Sequence, residues 1–443
     1  MCLLFPFSFV RASLYRHVHG QPAKPENEFC ELKPQCTGEG NYIAANSKFF
    51  CYSGIGGGGP VVVWPINKPG RLPHNVPSLQ VHKDAVLDFD FNPFNDNLLA
   101  TGGEDCHIKV SQIPDDGIKA NITEAVADLE GHERKINILH WNPAAQNVLG
   151  SASADLSLKI WDVEKQACLN TFNEFGDVCQ SFDWNTDGSQ VVTTAKDLTI
   201  RVFDPRQQGS VVKFAGFTGA KSSRALWRGD KGQVIAVGSS KTSARQYGLW
   251  DVKMPEKPLQ LVDIDTSAGV LMPMFDPDNS ILYVAGKGDG NIRYFEIVDT
   301  DPYVHYLSEF RDNQSQKGIA WLPKRSVDTT KCEVAHAFRL MKDKVQPISF
   351  QVPRKSADTF QKDLYPDSYA GIPALSAEEW ASGKNVTPVK KSMKPGAAPP
   401  AGGAAAAAAP LKVQKSAAEL QRELDAANAK IAILEAELLK LKA

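Results

Sequence analysis

The sequence lacks any large excess of one charge: 49 Lys and Arg stand against 51 Asp and Glu in 443 residues, a net charge of −2. A nucleic-acid-binding surface shows as a strong basic excess, so no nucleic-acid partner is expected. None of the eight cysteines (2, 30, 36, 51, 106, 168, 179 and 332) forms a C-x-x-C pair, which leaves metal knuckles and dithiol centres without support. Scattered single cysteines fit a reducing compartment better than a disulfide framework. Long apolar runs are also missing. The opening MCLLFPFSFV is too short to span a bilayer and has neither the basic n-region nor the small-residue cleavage site of a secretory signal. A cytoplasmic protein is the expectation. No nucleotide loop survives inspection either. Gly54 to Gly59 read GIGGGG, but PVVVWPI follows, a strand and not the helix with Lys-Ser/Thr of a phosphate loop. A tight hairpin turn is expected there. With no metal set, nucleophile motif or cofactor motif, the chain does not read as an enzyme.

What is present is one unit written repeatedly. The clearest copy is LEGHERKINILHWNPAAQNVLGSASADLSLKIWDV, from Leu129 to Val163. It holds a Gly-His pair, an alternating strand ending in Trp141, an Asn-Pro turn, a strand through Ser151, a turn at Asp155 and a strand ending in Trp161-Asp162. The same syntax begins again at His82 and at Gly176. Third-strand ends are expected at Trp64, Ser111, Trp161, Phe203, Trp250, Phe295 and Phe338, separated by 47, 50, 42, 47, 45 and 43 residues. A period near 40–45 residues with four short strands per unit is that of WD-repeat blades, and seven marks predict an all-β, seven-bladed propeller.

An Asp recurs six residues before the mark as Asp105, Asp155, Asp197 and Asp289. In the Leu129 unit, His132, Ser151 (or Ser153), Asp155 and Trp161 make a set resembling the Asp-His-Ser-Trp tetrad of such blades. Their expected role is a buried hydrogen-bond chain tying the turn to the strands. Recurrence at the blade period argues against catalysis. Tyr15 to Val18 precede the first unit and are expected to form the outer strand of the last blade, clasping the ring.

The repeat stops after Val352, giving a propeller over residues 1–352. Residues 353–389 carry Phe360, Leu364, Tyr365, Tyr369, Leu375 and Trp380, too many apolar groups for a free linker, so this segment is expected to pack on the ring. Residues 390–415 are rich in Pro, Gly, Ala and Lys, and no acidic residue occurs between Glu379 and Glu419. They read as a flexible tether, with a weak basic contact to an acidic partner or anionic lipid as the alternative and membrane contact at most peripheral. Residues 416–443 contain no Pro or Gly and follow a heptad, with Ala417, Leu424, Ile431 and Leu438 at a and Leu420, Ala427, Leu434 and Leu441 at d. This predicts a short coiled coil and a homo-oligomer.

Several segments together resemble the coronin family: RASLYRHVHGQ, GKGDGNIRYFEI, VPRKSADTFQKDLYP and PALSAEEWASGKN. The last two lie outside the blades, so propeller architecture alone would not produce them. The resemblance implies a protein of the cytoplasm and cytoskeleton that binds filamentous actin and regulates its turnover, partly with the actin-nucleating complex of actin-related proteins. It also implies basic contact residues at Arg11, Arg16 and Lys33. Lys430 to Glu435 (KIAILE) resembles the family's trimer motif, in which a basic residue (here Lys430) reaches the acidic one (here Glu435) of a neighbouring helix. A trimer is therefore favoured over a dimer or tetramer. The competing reading is a non-cytoskeletal WD-repeat scaffold, for example in vesicle traffic.

Overall fold

The computed structural model describes residues 11–209, 212–355, 359–398 and 411–414, and residues 420, 424–425, 427–431 and 434 of a C-terminal helix. Seven sheets form the ring, six of four antiparallel strands and one of six in which Phe29–Cys30 and Gly70–Arg71 pair in parallel. In blade 3 the strands are Ile136–Trp141, Val148–Ser153, Leu158–Asp162 and Ala167–Phe172. The second strand of this blade is buried along its whole length, because each blade is covered on both faces by its neighbours. Small residues let the blades approach: a Cβ on Gly150 would lie 2.4 Å from the Phe182 ring of blade 4.

The ring closes through the chain's start. His19–Pro22 pairs with Lys344–Gln351 of blade 7 in the register His19 to Gln351, and Phe29–Cys30 continues along the same strand opposite Val345 and Lys344. Buried Glu28 locks this clasp, accepting from Lys344 Nζ at 2.8 Å and Gln346 Nε2 at 2.6 Å. The clasping strand is thus displaced by four residues from the expected Tyr15–Val18. Those residues form a turn, Val18 N–H donating to Tyr15 O at 3.0 Å, with Tyr15 and Val18 both buried in the core. A second correction concerns Phe338. It lies in Glu333–Leu340, the second strand of blade 7, and the third is Lys344–Gln351, whose penultimate residue Phe350 holds the place expected for Phe338.

The GIGGGG stretch links the second and third strands of blade 1, Phe49–Ser53 and Val61–Pro65. Gly59 has φ +57°, and a Cβ there would sit 2.4 Å from Asp84 O and Val86 N. Only glycine fits so close a backbone crossing.

Beyond the blades the chain runs across the lower face, where first and second strands are joined. Tyr365 OH donates to Glu333 O at 2.8 Å, and Leu364 and Tyr365 are buried among blades 6 and 7. Leu375 bridges to Ala145, with Gln146 N–H donating to Leu375 O at 2.9 Å. A helix over Ala377–Ala381, opened by a Ser376–Glu379 capping box, sets Trp380 against blade 4. Packed structure continues past residue 389: Lys390–Lys391 pairs with Ser368–Tyr369, Met393 is buried, and residues 411–414 also lie on the ring.

Candidate interaction surface

The ring first excludes one chemistry. His132 Nδ1 lies 2.8 Å from Asp155, His132 Nε2 2.7 Å from Ser151 Oγ, and Trp161 Nε1 donates to Ser151 Oγ at 2.8 Å. Ser153, the alternative member, bonds instead to Arg134 O. Written out, this is the order of a Ser-His-Asp triad. Yet the His132 side chain and Ser151 are wholly buried, and the serine oxygen already accepts the indole N–H, so no substrate carbonyl can reach it. Burial would raise the Asp155 carboxyl, but Ser157, His132 and the Glu133 amide outweigh it and bring it down to about 2. Blade 2 repeats the device with His82, Asp105 and Thr101. Blade 4 uses arginine, Asp197 pairing with Arg201, while Asp289 of blade 6 pairs with Arg245 of blade 5.

The central channel carries a charged cluster. His140 Nδ1 lies 2.9 Å from Asp90, and Nε2 lies 3.3 Å from Asp183, so one imidazole joins blades 2, 3 and 4. Burial opposes its charge, but the two carboxylates prevail and raise it to about 10. Asp88, one turn of the pleat away, is pushed up by burial to about 7, with Asp90 adding to the rise and the Leu139 amide opposing it. These residues escaped the sequence reading although a signal exists. Asp90, His140 and Asp183 each directly precede the aromatic residue that ends an inner strand, as Asp-Phe, His-Trp and Asp-Trp. Above them the loop before blade 1 crosses the channel mouth. Arg224 of blade 5 donates to Glu39 O at 2.7 Å, Lys287 of blade 6 to Gly40 O at 2.6 Å, and Asn41 bonds Ile319 of blade 7.

The three basic residues Arg11, Arg16 and Lys33 are not brought together. Arg11 pairs with Glu296, and Arg16 donates to Arg11 O, both at the lower end of the clasp. Lys33 lies at the upper end. It is exposed and has no side-chain partner among the described residues. Its backbone is zipped to blade 1, since Ile55 N–H donates to Lys33 O at 3.2 Å and Gln35 N–H to Ser53 O at 2.8 Å. Ile55, 67% exposed, stands beside it. The upper rim thus presents a cation and an apolar knob on a fixed backbone.

In the C-terminal helix Leu420, Leu424, Ile431 and Leu434 are each about half exposed, and Lys430 is exposed. Leu438, Leu441 and Glu435 lie outside the described residues. No described helix is long and apolar enough to cross a membrane, and the seven described cysteines are free.

Comparison with known proteins agrees with this architecture. Residues 74–110, 123–162 and 166–204 match the "WD domain, G-beta repeat" family, residues 345–388 a type of WD40 repeat, and residues 8–71 a domain of unknown function, DUF1899. Coronin-A of Dictyostelium discoideum is 43% identical over 97% of this chain and 97% of its own length. The coronin-like protein crn1 of Schizosaccharomyces pombe is 42% identical over 86% of this chain, which spans 64% of that relative. The WD40 domain of Toxoplasma gondii coronin superposes with a TM-score of 0.82 at 30% identity, covering 86% of this chain and 98% of that one. With its blades, its clasp and the extension beneath them all accounted for, the chain belongs to the coronin family.

Proposed function

We propose that this protein binds actin filaments through the upper rim of the propeller and, by associating through its C-terminal helix, bundles filaments and influences their turnover in the cytoplasm. The actin-related-protein nucleating complex is the second partner of this reading. The observation that carries it is the solvated Lys33–Ile55 pair on a rigid rim, in a chain related to coronins along its whole length. Actin filaments are acidic polymers, so an unpaired rim cation favours encounter. Several weakly binding discs held on one coil gain avidity on a repeating lattice through effective concentration. The apolar stripe of Leu420, Leu424, Ile431 and Leu434, half exposed in a single chain, is what a partner helix would cover. The closed serine network supports a scaffold and not an enzyme.

Co-sedimentation with actin filaments at increasing salt tests the reading. Pelleting that weakens with salt is the expected result. A folded protein that stays in the supernatant at low salt would favour a WD-repeat scaffold outside the cytoskeleton.

A further inference from the structure

Residues 411–414 do not hang free. Leu411 and Val413 turn inward onto the apolar cluster shared by blades 2 and 3, which includes Val110, Leu129, Trp161 and Val163, while Lys412 and Gln414 point to solvent. The backbone is held at both polar groups of Gln414. Its N–H donates to Glu164 O at 2.7 Å, and its carbonyl accepts from Gln166 Nε2 at 2.9 Å. Gln166 works on two sides, because its Oε1 accepts the Asp128 N–H of blade 2's outer strand at 2.8 Å. It does so from a left-handed backbone, φ 49°, in the turn between the third and fourth strands of blade 3. One amide therefore spans the seam between two blades and the segment lying on it.

We propose that the blade 2–blade 3 seam is a docking groove whose occupant is residues 411–414 of the same chain, and that Gln166 is its clamp. The groove selects an extended apolar–polar–apolar segment by two inward side chains and by both backbone groups of the fourth residue. Docking anchors the chain to the propeller at Gln414, six residues before Leu420, the first described residue of the C-terminal helix. The chain thus meets the propeller twice, once through the extension ending near Met393 and again at the seam. The consequence for assembly rests on the oligomer reading above: each disc is held within a short reach of the coil, and two filaments joined by one oligomer inherit that limit on their spacing. A free tether would allow any spacing within its reach.

The test uses the full-length chain and two variants. Gln166→Glu keeps the acceptor for Asp128 but replaces the donor to Gln414 with a carboxylate. Leu411→Ser with Val413→Ser removes the two inward apolar side chains and leaves Lys412 between small neutral residues. Tryptic cleavage after Lys412, followed by mass spectrometry, reads the docking directly. Loss of a clamping hydrogen bond and the local opening it permits predict cleavage about tenfold faster in either variant. Sedimentation equilibrium should give the same oligomer for all three proteins, and small-angle scattering a larger radius of gyration for the variants. Equal cleavage after Lys412 in the parent and both variants, with equal radii, would overturn the proposal. A parent that is monomeric yet protected at Lys412 would defeat the oligomer reading and leave the groove standing.

Discussion

Trp380 Nε1 donates to Gly188 O at 2.7 Å, and its ring meets Trp184 edge-on at a centroid distance of 5.9 Å. One side chain from beyond the blades is thereby seated between the turns of blades 3 and 4. Gly188 itself is in the left-handed region, φ +66°, and a Cβ there would strike Asn142 at 2.1 Å. The extension is consequently a fixed cover on the lower face, further held by Arg206 lying 5.7 Å over the Trp380 ring.

Trp380→Ala should therefore release the extension and leave the ring folded. Truncating a buried aromatic costs about 3–5 kcal/mol, which exceeds what a five-residue helix can supply on its own. The expected outcome is rapid proteolysis between residues 366 and 390 with the main thermal transition retained. Protection equal to the parent's would show that Trp380 does not anchor the segment.

Asp155→Ala should destabilise blade 3 without touching the upper rim at Lys33. The substitution strands His132, Ser157 and the Glu133 amide, at a cost of about 1–3 kcal/mol. In the parent, the carboxyl's depressed value means that its stabilisation is present above about pH 4 and lost as pH falls towards 2. Chemical denaturation of the two proteins at neutral pH measures the difference. Parent-like stability combined with lost filament binding would move Asp155 from scaffold to site.

His140 gives the opposite pH dependence. Its folded value of about 10 stands above the ordinary 6.5, so its contribution is complete below 6.5 and lost as pH rises towards 10. The side chain is 40% exposed to the channel, and water screening reduces the size of that contribution. Melting temperature should fall between pH 7 and 10 in the parent, and His140→Gln should flatten part of the fall. Parallel melting curves across that range would show the cluster to be neutral to folding.

What the sequence disclosed depended on the range of the signal. The Asp155 network was legible because Asp155 lies six residues from Trp161 and recurs at the blade period. Asp197 has the same spacing, but its partner is Arg201, four residues on in the strand that follows its turn, and spacing alone does not distinguish the two solutions. The clasp was expected from its position before blade 1. Its register was not, because apolar Tyr15 and Val18 look like strand residues when they are in fact turn residues with buried side chains. The His140 cluster draws one residue from each of three blades, 50 and 43 residues apart, so its only trace in the sequence is a polar residue repeated before the aromatic that ends each inner strand. Arg11 and Lys33 look alike in sequence, and only the fold separates the arginine paired with Glu296 from the lysine left in water.

Lys33→Asp should lower filament affinity about two- to tenfold at low salt, the deficit narrowing as salt rises, since rim charges act over a Debye length. The thermal melt should match the parent, because the Lys33 side chain is exposed. Arg11→Ala serves as contrast. Its side chain is committed to Glu296, so any effect should appear in stability before binding. Unchanged pelleting of a folded Lys33→Asp protein would remove this rim from the contact.

The C-terminal helix offers the last prediction. Leu420, Leu424, Ile431 and Leu434 lie at 53%, 54%, 52% and 55% exposure in a single chain, an apolar stripe at heptad spacing that is left half open among the described residues. Four heptads make a marginal coil, so a single change in the seam should dissolve it. Leu434→Asp would bury a carboxylate among leucines if the helices still met, and that desolvation exceeds what so short a seam gains. The variant should be a monomer by sedimentation equilibrium, and the parent is expected to be a trimer. Lys430 can supply the charge and aliphatic stem of the trimer motif, but it lacks the planar fork of arginine, so Lys430→Arg should tighten the trimer. Filament bundling should disappear in Leu434→Asp while single-disc binding through the Lys33 rim persists. If bundling survives in a demonstrably monomeric variant, the propeller itself must carry two filament contacts, and the helix has another purpose.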